Sequence, residues 1–346
     1  MVRYTIRRIL LAIATAAIVL TLTYFLMKLL PFQTPVMSTI EQKFAFFQYQ
    51  VGLGYVVDLA EKDPSMGKLL FSYTDTNGVL HNFYVAPAWD QYVVWVKGIF
   101  TQWSWGPSTV ITPNVDSMVI IAERLPTTIK INIWAVLISV PAGIGLGVWA
   151  ALKKNKMTDH IISTAVMIFI SVPSFIVISL LMSWLAYDSG WLPTKWPLDT
   201  APLADRIKGY VIPTLALSFG SICGYCRFTR AELTEVMSSD FLLLARTKGL
   251  TRAQAITRHA LKNAMVPILP SILSEVIGLL GGSMILEALY GIPGVGKLYV
   301  TAISSKDYNV LMADMSFYTL IGLISGVFLD LSYGFIDPRI RMGAKK

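Results

Sequence analysis

Six apolar stretches of about 20 residues, near Ile9–Leu30, Thr127–Leu152, Ile161–Tyr187, Tyr210–Cys226, Met265–Tyr290 and Val310–Tyr333, constrain this chain more than any other feature. A hydrocarbon core about 30 Å thick offers no water to backbone N–H and C=O groups, and a helix satisfies them within itself. The runs therefore predict six membrane-spanning helices. The fourth is short before Arg227, and its helix is expected to continue past the membrane through Glu232 and Glu235. Composition agrees: 54% of the 346 residues are hydrophobic, 14% are charged, and the mean hydropathy is +0.59, which excludes an ordinary soluble domain. The fold class is an all-α integral membrane protein.

Orientation follows from the short loops. Arg3, Arg7 and Arg8, Lys153, Lys154 and Lys156, the seven Lys and Arg from Arg227 to Lys262, and Arg339, Arg341, Lys345 and Lys346 all fall on one side. The other side holds Lys195, Arg206, Lys208, Lys297 and Lys306. Both termini are therefore expected in the cytoplasm of a multi-pass protein of the cell (inner) membrane. The net charge of +8 is explained by this asymmetry, so no nucleic-acid partner is implied. Arg7 and Arg8 before an apolar core look like a signal peptide. The run continues to Leu30, beyond the usual signal core of ~7–15 residues, so an uncleaved first span is expected.

Pro31 to Pro126 is then a long outer segment, rich in aromatic and acidic residues. Within it Thr74-Asp-Thr-Asn-Gly-Val79 reads as a hairpin turn, Asn77-Gly78 supplying positive φ between residues of strand character. Lys28 and Lys130 stand near span ends, where long side chains snorkel.

Between the fourth and fifth runs lies Asp240-Phe-Leu-Leu-Leu-Ala-Arg-Thr-Lys-Gly249, continuing Leu-Thr-Arg-Ala-Gln-Ala-Ile-Thr-Arg-His-Ala-Leu-Lys262 and on to Pro270. Asp240 is expected to cap a helix over Phe241–Lys248, ended by Gly249 in the left-handed region. Thr251 and Gln254 have capping-box spacing for a second helix. Its apolar face is Ala253, Ile256, Ala260, Leu261 and Ala264, leaving Arg252, Arg258 and Lys262 to point elsewhere. The residues alone also allow an amphipathic helix lying on anionic lipid.

This loop resembles the coupling loop of the permeases of ATP-binding-cassette importers, in particular the oligopeptide, dipeptide and nickel family and the B-type permease of its pair. The resemblance continues through Glu287-Ala-Leu-Tyr-Gly-Ile-Pro-Gly-Val-Gly296, Lys306-Asp307-Tyr308 and Asp337-Pro-Arg-Ile-Arg341. It covers most of the chain from Leu125 onward. One departure concerns the Glu-Ala-Ala that the generic signature puts six to four residues before the glycine. Leu243, Leu244 and Ala245 stand there, so no role tied to that glutamate carries over.

The resemblance implies the type I importer permease fold, with a first helix and cytoplasmic tip over residues 1–30. An extracytoplasmic segment follows over 31–124, carrying an insertion at about 40–86. A five-helix permease core spans 125–336, with its coupling loop at 240–262, and a cytoplasmic tail occupies 337–346. It implies a transport subunit that is not an enzyme and holds no cofactor, ATP and Mg²⁺ being bound by partner subunits. Those partners are a second homologous permease, two ATP-binding subunits and an extracytoplasmic solute-binding protein that delivers peptide. Coupling to the ATPase is expected to fall on Asp240, Ala245, Arg246, Lys248, Gly249, Thr251, Arg252, Arg258 and His259. Alternatives are import of a nickel chelate or other small solute, a secondary transporter using intramembrane acids such as Glu275, and a signalling receptor subunit.

Several local patterns carry less. Gly291-Ile-Pro-Gly-Val-Gly-Lys297 approaches a phosphate-binding loop, but Leu298 replaces the required Ser or Thr and the run follows an apolar span. Cys223 and Cys226 have redox or zinc spacing without a second pair, which favours packing as small apolar groups. Glycines four apart, at 143/147, 220/224, 278/282 and 322/326, suit close helix approach or ordinary packing. An intramembrane charge costs at least ~2.5–3.5 kcal/mol and faces protein or water. Glu275, Glu287 and Asp330 are accordingly candidates for the pathway or for helix pairing, and Asp330 for anchoring the inner end.

Overall fold

A computed structural model describes residues 2–278 and 280–336. The Asp337–Arg341 block and the rest of the basic tail lie outside the described residues. The chain divides into two compact units.

One unit comprises residues up to Ala12, Pro126–Lys297 and those from Ile321. Its helices are the start of α1 (Val2–Lys28), most of α4 (Ser117–Leu152), α5 (Met157–Ile170), α6 (Ser174–Leu181), α7 (Leu203–Gly209), α8 (Val211–Met237), α9 (Asp240–Thr247), α10 (Arg252–Ala255), α11 (Leu261–Gly278), α12 (Met284–Tyr290), the first turn of α13 (Val295–Ser305) and the end of α14 (Tyr308–Ile336). Among the described residues five helices are long and apolar enough to cross a membrane, six if a bent pair counts as one span.

That bent pair corrects the straight third span. Met157–Ile170 and Ser174–Asp188 meet at 99°. Pro173, in extended conformation (φ −59°, ψ 142°), provides no N–H to continue the helical ladder, and the chain restarts at Ser174. The fifth span is also shorter than expected, because α11 ends at Gly278 and Glu287 sits on the separate helix α12 rather than at a span end. Gly282 at φ +59° lies in the intervening break. The fourth helix does run past Arg227 to Met237, as expected.

Ile178 of α6, Ile212 and Ala216 of α8, Leu286 and Tyr290 of α12 and Ile292 form a shared core. Close approach of α4 and α8 depends on one glycine pair. A Cβ at Gly143 would stand 2.6 Å from Tyr225 Cβ and 2.8 Å from the Ile222 carbonyl oxygen, and one at Gly147 2.7 Å from the Cys226 carbonyl oxygen. Gly220, Gly224, Gly278, Gly322 and Gly326 have open space there, so the spacing alone did not identify contacts. Cys223 and Cys226 are buried with Val166 and pack against Leu146 and Ile162.

The other unit comprises Ile13–Leu125 and Leu298–Leu320. It adds a small α+β layer to the otherwise helical chain: α2 (Ile40–Gly52), β1 (Val56–Leu59), β2 (Leu69–Thr74), β3 (Leu80–Val85) and α3 (Ala88–Gln102). The antiparallel sheet has the order β1-β3-β2. Its core is Phe46, Phe47, Val56 and Phe83, with the Phe47 ring stacked 5.2 Å from Phe83 and 5.5 Å from Phe71. The hairpin is present between β2 and β3, but only Gly78 of the turn has positive φ (+81°). Asp75 takes over the role expected of Asn77: its carboxylate accepts from the Val79 and Asn77 N–H groups at 2.8 and 2.9 Å. Those bonds, Val79 first, hold its acidity stronger than that of a free aspartate. Asp307 organises the same unit. Fully buried, it accepts from Ser108 Oγ at 2.6 Å and from the Val110 and Ile111 N–H groups at 2.9 Å.

Candidate coupling surface and the membrane carboxylates

The loop between α8 and α11 folds as two short helices joined at a glycine. Ser239, in extended conformation, occupies the N-cap of α9, so Asp240 is the first helical residue rather than the cap. Its charge still complements the helix N-terminus. Leu242 is the anchor, buried with Leu233 of α8, Ala151 of α4, and Ala255, Ala260 and Ala264. Gly249 follows at φ +94°, its N–H bonded to the Arg246 carbonyl at 3.0 Å. A Cβ there would meet nothing within 4 Å, so the requirement for glycine is conformational and not one of space.

The capping box is formed: the Gln254 N–H donates to Thr251 Oγ1 at 3.3 Å and the Thr251 N–H to Gln254 Oε1 at 3.0 Å. The helix then widens into a π-turn over Ile256–Ala260 before α11. That extra residue rotates the buried face, which consists of Ala255, Ile256, Ala260 and Ala264. Ala253, assigned to that face from a regular 3.6-residue period, is exposed, and Leu261 is half-buried.

What remains outside is apolar and basic together. Phe241, Leu243 and Leu244 are 44, 61 and 56% exposed, and Ala245 is half-buried. Arg246, Lys248, Arg252, Arg258 and His259 are exposed. The nine residues assigned to coupling are thus on one loop, although Thr251 acts there as a cap. The leucines replacing the Glu-Ala of the generic signature are among its most exposed apolar groups. Beside them a cleft of about 460 Å³ is lined by Asp240, Arg246, Arg252, Lys154 and Lys156, with Leu242 and Met237.

The three candidate membrane acids separate by environment. Glu287 is 3% exposed and accepts from Thr128 Oγ1 at 3.0 Å and from the Lys297 N–H at 3.0 Å. Thr128 Oγ1 in turn accepts from the Val295 N–H at 2.9 Å. Cβ atoms at Gly282 and Gly296 would stand 2.6 and 3.0 Å from the Glu287 carboxylate, and one at Gly294 2.5 Å from Thr128 Oγ1. Gly291–Lys297 therefore resembles a phosphate loop for a physical reason: its glycines and N–H groups enclose an acceptor group, the carboxyl of the chain's own Glu287. Asp330 pairs with Arg8 of α1 at 3.1 Å, which ties the ends of α1 and α14. Glu275 lies in interaction range of the Tyr225 hydroxyl on α8. Glu287 and Asp330 thus both have partners within the chain.

A fourth acid escaped the sequence reading. Asp159 of α5 is 1% exposed and takes a two-point contact from Arg230 of α8, Nε–Oδ1 at 2.5 Å and Nη2–Oδ2 at 2.8 Å. The Asn155 N–H and Ser163 Oγ add bonds of 2.9 and 3.2 Å. Its signal was present as a lone acid at the start of an apolar helix, but Arg230 had been counted only toward the basic loop.

Residues 143–342 match the family described as the inner membrane component of binding-protein-dependent transport systems. The dipeptide transport system permease protein DppB of Bacillus subtilis (strain 168) is 32% identical over all of both chains. The oligopeptide transport system permease protein OppB of Escherichia coli (strain K12) is 29% identical over 99% of this chain and all of the relative. Among solved structures, a chain of the MetNI methionine ABC transporter superposes with a TM-score of 0.51 over 64% of this chain and 97% of that one, at 15% identity, a likeness of fold. The chain therefore belongs to the inner-membrane permease components of binding-protein-dependent ABC importers, multi-pass membrane proteins that work with an ATPase and a binding protein.

Proposed function

We propose that this permease forms half of the translocation pathway of an ATP-driven importer of dipeptides or oligopeptides. The other half is a second, homologous permease. Two ATP-binding subunits bind ATP and Mg²⁺ on the cytoplasmic side, where both termini of this chain lie, and an extracytoplasmic solute-binding protein delivers the peptide. This chain performs no catalysis. It transmits motion: closure of the ATPase pair displaces the loop 240–262, and the displacement reaches the membrane through Leu242 and the alanines packed beneath it.

The observation that carries this reading is the loop itself. Leu242 fastens it to α8 and α4 while Phe241, Leu243 and Leu244 remain exposed among cations. Burying two exposed leucines in a docking contact would contribute about 1.5–3 kcal/mol each before the costs of association. Full-length similarity to relatives named for dipeptide and oligopeptide transport supports the peptide substrate. Purification through a tag on this chain, followed by uptake of labelled peptides and of a nickel chelate into proteoliposomes, tests it. Bound ATPase subunits with ATP- and binding-protein-dependent peptide uptake are expected. Uptake driven by an ion gradient through this chain alone would overturn the proposal.

A further inference from the structure

The helix α3 has a side that neither the core nor water explains. Gln91 and Trp95 are buried, and Trp95 Nε1 donates to the Trp105 carbonyl at 3.0 Å. Asp90, Lys97 and Thr101 are exposed and polar on another side. Between the two, Trp89, Val93, Val96 and Phe100 recur at spacings of four, three and four, which places them on one face. Trp89, Val93 and Phe100 are 63, 48 and 85% exposed, and Val96 is half-buried. Trp103, which ends the helix, is 63% exposed as well.

The contacts of α3 with α1 fix its depth. Tyr92 Oη lies 2.9 Å from Thr21 Oγ1, and its ring centre lies 5.3 Å from Tyr24 and 5.2 Å from Phe25. Trp89 stacks on Phe25 at 6.4 Å, and Trp95 lies 4.8 Å from Tyr24. Those partners belong to the span Tyr4–Lys28. Its uncharged run from Ile9 to Met27 is bracketed by Arg8 and Lys28, about 30 Å apart at ~1.5 Å per residue. That length matches a hydrocarbon core about 30 Å thick, so Lys28 marks one boundary of the core. Thr21 and Phe25 then lie about 10 and about 5 Å to the apolar side of it. The helix α3 is thus held beside the last two turns of a span, at the level of the exposed Leu22 and Leu26, yet its 15 residues are too few to cross.

We propose that α3 is an interfacial membrane helix. Trp89, Val93 and Phe100 enter the boundary between acyl chains and headgroups in the leaflet at the Lys28 end of α1, while Asp90, Lys97 and Thr101 face water. The occupant of the stripe is lipid, because the stripe shares its depth with the exposed leucines of the span, and an apolar face about 5–10 Å into the boundary is where such helices lie. Its tryptophans suit that level, where an indole keeps its ring in the apolar layer and its N–H among headgroups. The same anchoring holds the small sheet beside the bilayer, since Gln91 Nε2 donates at 2.6 Å to the carbonyl of Ala86, the residue after β3.

Val93→Cys, Lys97→Cys and Phe100→Cys, each in a chain carrying Cys223→Ala and Cys226→Ala, are labelled with a nitroxide. The assembled permease–ATPase complex is placed in phosphatidylcholine nanodiscs without binding protein. Power-saturation electron paramagnetic resonance compares collisions with O₂, which partitions into acyl chains, and with nickel ethylenediaminediacetate, which stays in water. We expect the ratio of O₂ to nickel accessibility to be several-fold higher at 93 and 100 than at 97. Equal ratios at the three sites would place the stripe in water, and labels at 93 and 100 shielded from both reagents would place it against a protein partner. Either result overturns the proposal, and neither bears on the peptide substrate.

Discussion

Arg230→Ala removes the partner of a carboxylate that water cannot reach. The Asp159 side chain is 1% exposed and that of Arg230 33%, so the two halves of the pair are unequal. Without the guanidinium, Asp159 keeps only the Asn155 N–H and Ser163 Oγ, and loses the two shortest of its four bonds. Breaking a buried pair costs about 3–5 kcal/mol, and the two surviving donors place Arg230→Ala near the lower end, at about 3 kcal/mol. Asp159→Asn leaves the charge on the partner that water reaches, and costs about 1–2 kcal/mol as the loss of a charge-assisted hydrogen bond. The double change Asp159→Asn with Arg230→Met leaves no buried charge and is less harmful than Arg230→Ala alone. Thermal unfolding of the purified complex in one detergent gives the order: wild type most stable, Arg230→Ala least. Equal shifts for the two single variants would show that it does not matter which charge is left dry, contrary to this expectation.

Gly143→Ala should destabilise α4 against α8 by about 1–3 kcal/mol, because its Cβ meets the Ile222 backbone, whereas Gly220→Ala should be neutral or slightly stabilising; thermal unfolding of both variants compares them. Gly294→Ala drives a methyl group into Glu287 and Thr128, so it should abolish peptide uptake or assembly, while the smaller change Glu287→Gln keeps the shape and weakens uptake less; uptake at matched expression decides. Single cysteines at Asn77 and Asn155 should react with an impermeant maleimide from opposite sides, Asn77 from outside, and same-side labelling would overturn the orientation assigned from the basic loops.

Much of the fold was legible because its determinants are local. Apolar run length located the spans, Thr251 with Gln254 announced a capping box that formed, and Gly249 marked a left-handed turn. The failures have a common physical cause in choices settled by neighbours or by one backbone group. Hydropathy averages over Ile161–Tyr187 and is blind to the 99° bend, although Pro173 was in plain view as a residue without an N–H. The π-turn over Ile256–Ala260 shifted the buried face from Ala253 to Ala255, a change no regular helical period contains. Glu287 and Asp159 were visible as acids in apolar surroundings, but their partners Thr128 and Arg230 lie 159 and 71 residues away, and only folding brings them together. The strand β1 and helix α2 of the segment after α1 were not anticipated, because their pairing depends on the aromatic core around Phe47 and Phe83.

If the loop 240–262 carries the work of ATP hydrolysis into the membrane, Gly249→Val and Ala245→Asp should both break the link between hydrolysis and uptake. Valine at φ +94° is strained by about 1–2 kcal/mol at the hinge, with no clash to confuse the reading, since the space around Gly249 is open. Aspartate at the half-buried Ala245 places an unpaired charge in the proposed docking contact. ATP hydrolysis and peptide uptake are measured in the same proteoliposomes, at equal amounts of assembled permease. Both variants should reach the membrane and then either lose the ATPase subunits or hydrolyse ATP without moving peptide. Uptake per ATP equal to that of the wild type in both variants would show that the coupling runs elsewhere.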